Sequence, residues 1–202
     1  MRRATALLAG LLITILFPIA PAMIPQAGAD SCTGTWTIGI GGGDSVQSAF
    51  APYTDRVIIY SSAAPAAALD EVDRLFWSHR AECPGDHIRL IGHSQGAAIL
   101  HAWITAHPNA ANTNAILLAD PKRAPGPGEG GLSATPGNSL VGYPLSGVDD
   151  WFGSVPVLSV CNHDDPICDT SADWQGYAAG AHIRYDFDVH DYGNWDSGVW
   201  YR

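Results

Sequence analysis

Ile88-Arg89-Leu90-Ile91-Gly92-His93-Ser94-Gln95-Gly96-Ala97-Ala98 is the stretch on which the fold of this chain turns. A short apolar run meets G-x-S-x-G and leads directly into a helix-forming segment. That order describes a sharp strand-to-helix turn holding the Ser94 hydroxyl clear of a sheet, with Gly92 and Gly96 letting the backbone crowd together. A serine so placed is a candidate nucleophile at a helix N-terminus, where N–H groups can help stabilise an oxyanion. Three fixed positions in five recur by chance in a Gly-rich chain, so the strand before and the helix after carry the weight of the reading.

Upstream, Trp36–Ile40 reads as a first strand ending in Gly41-Gly42-Gly43-Asp44-Ser45, and Val57–Tyr60 as a second. The glycine cluster lacks both the G-x-G-x-x-G spacing and the Lys-Ser/Thr of a P-loop, so phosphate binding is a weak reading. From Pro65 to about His79, Leu69, Val72, Leu75 and Phe76 recur at helical spacing. Ile88–Ile91 is the third strand, and Pro108 ends the helix after Ser94. Ala115–Ala119 and Pro156–Val160 supply strands four and five, separated by a Gly- and Pro-rich stretch from Asp120 to about Gly153. A loop that long in a compact domain is usually functional or mobile.

Short buried strands alternating with helical stretches predict a three-layer α/β sandwich with a mostly parallel sheet of about five strands. In the order 2-1-3-4-5, strands one and three are neighbours at the topological switch point, where ligands bind. The Gly42–Ser45 loop would then lie beside Ser94.

The N-terminus reads as an address. Arg2 and Arg3 precede an apolar run from Ala4 to about Ala20, and Ala27-Gly28-Ala29 is a small-residue cleavage site. Prolines 18, 21 and 25 interrupt the run before it spans a bilayer comfortably, which weighs against a membrane anchor. The expectation is a secretory signal peptide over 1–29, followed by one domain over 30–202 with no integral membrane span, secreted or held in the cell envelope. Losing two arginines makes that domain more acidic than the full chain's net charge of −10, which disfavours nucleic acid and anionic lipid head groups. A monomer is expected.

Cys32, Cys83, Cys161 and Cys168 all lie in the expected mature part, and an even count in a secreted chain reads as disulfides. Three pairings are possible; sequence proximity favours Cys161 with Cys168, leaving Cys32 with Cys83. His163, Asp164 and Asp165 between two cysteines raise a metal reading, but zinc sites usually show tighter Cys or His pairs. Neither metal nor cofactor is expected.

A nucleophilic serine needs a base, and the base an orienting acid, in the chain order nucleophile, acid, histidine. Asp120, Asp164 and Asp165 follow strand ends, and His163, His182 and His190 lie downstream of Ser94. Among the remaining histidines, His79, His87 and His107 read as surface residues at helix or loop ends, and His101 as a helix-face or packing residue. His93, at the variable position of the elbow, is a candidate lining residue of the cleft. Trp151, Phe152, Trp174 and Tyr177 are candidates either to grip an acyl chain or to pack in the core.

Three motifs narrow these choices. Cys83-Pro84 precedes Gly92-His93-Ser94-Gln95-Gly96-Ala97; Cys161-Asn162-His163-Asp164-Asp165-Pro166-Ile167-Cys168 has the pattern C-N-x-x-D-x-x-C; His182-Ile183-Arg184-Tyr185 is H-x-x-Y. Together they resemble the cutinase family of serine esterases, including hydrolase domains of actinobacterial cell-envelope proteins of the PE-PPE type. Asp120-Pro121-Lys122-Arg123, with Gly130-Gly131 beyond, resembles the D-P-x-R…G-G stretch of that branch. The resemblance covers nearly all of the expected mature chain and implies an α/β-hydrolase without a cap domain. It implies Ser94 as nucleophile, Asp165 as acid and His182 as base, with His190 a looser match. The oxyanion donors it implies are the Gln95 N–H and one from the Gly42–Ser45 loop, with Gly43 and Asp44 the candidates. The implied substrate is an ester, with lipids and polyesters among the candidates. The alternatives are an acyltransferase of cell-envelope lipids sharing the triad, or a catalytically silent envelope-binding protein on the same fold.

Overall fold

Every strand of the fold runs parallel to its neighbours. The computed structural model describes residues 32, 34–42, 50–135, 145–185, 188, 193 and 195–202. The expected signal segment 1–29 lies outside them. The strands are β1 (Thr35–Ile40), β2 (Arg56–Ile58), β3 (His87–His93), β4 (Thr113–Leu118), β5 (Val157–Cys161) and β6 (Gly198–Tyr201). They form one sheet in the order β2-β1-β3-β4-β5-β6. The first five take the expected order, and a sixth strand extends the five expected.

The apolar runs are buried because a parallel sheet is covered on both faces. All residues of β4 and β5 are buried. Successive side chains alternate between faces. Ile88, Leu90, Ala115, Leu117 and Val157 join one apolar cluster with residues of α1 (Pro65–Glu82) and α2 (Gln95–Ala106). Ile91, Ile116, Leu118, Leu158 and Val160 meet Phe50 and Tyr185 in a second cluster on the opposite face. In α1, Pro65 takes the first-turn position where its missing N–H costs no helical bond, and Ala68, Val72, Phe76 and His79 form the buried stripe.

Two details depart from the sequence reading. Strand β2 stops at Ile58, leaving Ile59 exposed and Tyr60 turned inward. His79 and His87, expected at the surface, are buried: His79 Nε2 lies 3.0 Å from Asp86, and His87 bonds the side chains of Asn112 and Asn114. A charged or amide partner brought close by the fold removes the penalty that would otherwise keep an imidazole in water.

Candidate active site

The register places Ile40 of β1 opposite Gly92 of β3, so the ends of both strands meet at Ser94. Ser94 sits between β3 and α2 with φ 59° and ψ −129°, a backbone conformation costing about 1–3 kcal/mol for a non-glycine residue. Its N–H donates to the Leu118 carbonyl at 3.0 Å, tying the turn to β4. The two glycines of the motif are steric requirements. A Cβ on Gly96 would stand 2.2 Å from the Ile40 carbonyl oxygen, and one on Gly92 2.7 Å from Cα of Ala97.

Three side chains from separate segments converge at this turn. His182 Nε2 lies 2.9 Å from Ser94 Oγ, and its Nδ1 lies 2.9 and 3.1 Å from the two oxygens of Asp165. Asp165 is fully buried, yet its carboxylate also accepts the Ile167 N–H at 3.0 Å and the Tyr185 hydroxyl at 2.8 Å. Three donors around one buried carboxylate offset its desolvation. Tyr185 stays protonated, because burial and the neighbouring Asp165 push its pKa up.

The loop carrying Asp165 is closed by a disulfide between Cys161 and Cys168; Cys32 pairs with Cys83. The cysteines of the loop are thus bonded to each other and offer no free thiolate. Asn162 reaches from this loop to the carbonyls of Ala181 and Arg184, on either side of His182. Arg123 donates Nε to the Cys168 carbonyl at 2.8 Å, which gives the D-P-x-R stretch a supporting part beside the Asp165 loop. Strand β6 braces it from the sheet edge: Arg202 N–H donates to Cys161 O, His163 N–H to Arg202 O, and Tyr201 hydroxyl to Asp169. Burial resists ionising Asp169, but hydrogen bonds from Tyr201, Ser171 and the Glu129 N–H outweigh it and hold its carboxyl at about 2.

Gly42 lies against Ser94; a Cβ there would be 3.6 Å from its Oγ. Gly43 and Asp44 lie outside the described residues. Gln95 opens α2, and its side chain is fixed from both ends, Nε2 donating to Ser62 O and Oε1 facing the Tyr60 hydroxyl at 3.1 Å. That hydroxyl is also 3.1 Å from Gly41 O, so Tyr60 stitches together the two segments flanking Ser94. Its apolar run made it look like one more strand residue, and nothing in the sequence marked it otherwise.

The other candidates fall away from Ser94. Asp164 and His163 are exposed and face each other, and Asp120 is bonded to His101 at 2.6 Å. His190 lies outside the described residues. His93 does not line an open cleft: it is buried, and its Nε2 lies 2.7 Å from the His182 carbonyl oxygen. Tyr177 stacks on His182 with ring centroids 5.0 Å apart, and Trp174 packs on Tyr177. Phe152 instead packs against His101, beside a cavity of about 520 Å³ that none of Ser94, Asp165 and His182 lines.

A family model described as cutinase matches residues 40–194. The chain belongs to the cutinase family. As a member of that family it is an ester hydrolase. Among solved structures, a cutinase-like protein from Cryptococcus sp. is 20% identical over 79% of this chain and 90% of that one, with a TM-score of 0.50. An acetylxylan esterase is 19% identical over 77% of this chain and 92% of that one, at 0.49. A putative YdeN-like hydrolase from Pectobacterium atrosepticum is 17% identical over 83% and 76%, at 0.45. At 20% identity the cutinase-like protein speaks for the fold alone. No curated protein sequence matches the chain. Among the described residues of this cutinase-family chain, no helix is long and apolar enough to cross a membrane.

Proposed function

We propose that this chain is a secreted serine ester hydrolase working through an acyl-enzyme on Ser94. The observation that carries the reading is the unbroken path from Ser94 Oγ through the His182 imidazole to buried Asp165. In this reading Ser94 Oγ bonds to the ester carbonyl carbon while its proton passes to His182 Nε2. The Asp165 carboxylate accepts the Nδ1–H and so fixes the tautomer with a bare Nε2. The carbonyl oxygen takes up the electron pair and is met by the Gln95 N–H at the start of α2, with a second donor from the Gly42–Ser45 loop. The tetrahedral species collapses, the ester C–O bond breaks, and the Nε2 proton leaves with the alcohol. Water then repeats the sequence on the acyl-serine.

The exposed rim beside His182, formed by Trp174, Tyr177 and Ile183, supports an apolar acyl group or polyester chain as substrate. Secretion is supported by the N-terminal pattern of charge, apolar run and small residues, together with two disulfides.

The test is a burst of p-nitrophenol from p-nitrophenyl butyrate, with mass spectrometry of the trapped acyl-enzyme. A butyryl group on the peptide containing Ser94 is expected. Asp165→Asn should lower kcat by up to ~10⁴ through the wrong imidazole tautomer, while Asp120→Asn should leave the burst in place. An acyl group on another residue, or the reverse ranking of the two aspartates, would overturn the assignment.

A further inference from the structure

The loop that carries His182 has little regular structure of its own. It follows α3 (Trp174–Ala178), and its backbone turns on bonds from Ala181 N–H to Gly176 O and from Ile183 and Arg184 N–H to Gly180 O. The outward carbonyls of the loop are taken up by side chains from elsewhere. Those of Ala181 and Arg184 accept from Asn162 in the acid loop. The carbonyl of His182 itself meets His93, the residue immediately before Ser94.

On the reading of Ser94, Asp165 and His182 as the triad, we propose that His93 is a positioning residue for the base, its Nε2–H holding the His182 main chain at the depth where Nε2 of His182 reaches Ser94 Oγ. The bond joins positions 89 residues apart and makes one rigid strand end serve both the nucleophile and the base. His93 is the last residue of β3, backed by the sheet, so its ring has a fixed reference. The ring is buried, with its centroid 4.7 Å from that of His182 and 5.7 Å from that of Tyr185, so two rings pack against it. Burial and the neighbouring His182 lower its pKa to about 4 despite the bond to the His182 carbonyl, so above that pH the ring is neutral. A neutral ring with Nε2 facing a carbonyl must carry its hydrogen on Nε2.

A displacement of about 1 Å at a reacting group can cost on the order of 10²-fold, so losing this tether should appear in turnover. The geometry also separates its substitutes. A glutamine amide nitrogen reaches about as far as Nε2 of histidine, and an asparagine amide falls one methylene short.

The experiment compares His93→Gln, His93→Asn and His93→Met for kcat and KM on p-nitrophenyl butyrate, with thermal melting of each. Ser94→Ala and His182→Ala serve as controls. The expected result is kcat down about tenfold or more in the Asn and Met variants, KM within about twofold of wild type, and kcat restored to within about threefold by Gln. Equal kcat in the Gln and Asn variants, or a loss in KM alone, overturns the positioning role. If the Met variant does not fold, the Gln and Asn pair decides, since both bury one amide. Activity surviving in Ser94→Ala or His182→Ala would instead overturn the triad reading on which this rests.

Discussion

The Tyr185 hydroxyl donates to Oδ2 of Asp165 at 2.8 Å, on the same oxygen that His182 Nδ1 approaches at 2.9 Å. Tyrosine and histidine therefore share one buried acceptor. Tyr185→Phe removes one donor and leaves the carboxylate partly unmet, which should cost about 1–3 kcal/mol of stability. Turnover should fall as well, because the carboxylate is then held by fewer bonds. Urea unfolding and kcat of the same preparation check both; a variant with wild-type values of each would make the hydroxyl incidental.

Ser94 pays for its exposure with φ 59°, and the cost belongs to the backbone. Ser94→Ala should lose ester hydrolysis, by ~10⁴–10⁶ in kcat if the serine is the nucleophile, with the fold intact. Ser94→Gly should be as silent and more stable than Ser94→Ala by roughly 1 kcal/mol, since glycine takes positive φ without a Cβ clash. Melting temperatures of the two variants provide the comparison.

The two disulfides should separate stability from activity. Cys32–Cys83 closes a separation of 51 residues, worth about 4 kcal/mol by chain entropy, and Cys161–Cys168 a separation of 7, worth about 2.5 kcal/mol. Cys161→Ser/Cys168→Ser should lose activity through the Asp165 loop. Cys32→Ser/Cys83→Ser should lose the larger share of stability and keep kcat/KM. Calorimetry beside kinetics decides, and unchanged kcat/KM in the first double variant would leave the small ring a structural part only.

Stability should pass through a maximum near pH ~6.5, the ordinary histidine value. His101 is buried, which pulls its pKa down, but Asp120 and Asp149 outweigh that and raise it to about 9. A folded value above the unfolded one gives stabilisation that is complete below pH ~6.5 and lost as pH climbs through 9, on the order of 3 kcal/mol in all. His93 runs the other way. Its folded value of about 4 lies below the unfolded one, so stability falls as pH drops from ~6.5 toward 4. Urea midpoints across pH 4–10 should trace both limbs, and His101→Gln should flatten the alkaline one. An alkaline limb unchanged in that variant would assign it to other groups.

How far each part could be read from the sequence follows from what fixes it. The elbow was legible because the approach of β1 demands glycine at 96 and the start of α2 against β3 demands it at 92, leaving a local pattern. The positions of β3 and β4 were legible because each carries a short apolar run, Leu90–Ile91 and Ala115–Leu118, and is buried along almost its whole length. Strand β6 was not, since Gly198–Tyr201 is short, lies at the sheet edge and is mostly exposed, with no alternation to betray it. The roles of Tyr60, His79 and His87 come from partners that only the folded chain brings near. His93 drew notice by position alone; its bond runs to a carbonyl, and every residue carries one of those.

The sheet adds its later strands in chain order, β3 then β4, β5 and β6, and the final addition braces the ring that holds Asp165. A chain emerging from the ribosome at about 5–20 residues per second presents its serine elbow well before the acid loop and its brace exist. On the proposed reading, in which Ser94 acts through His182 and Asp165, Ser94 is until then an ordinary alcohol among the cell's own esters. On that reading hydrolytic competence arrives with the last segment of the sheet, which makes completion of folding the step that sets when the enzyme begins to act.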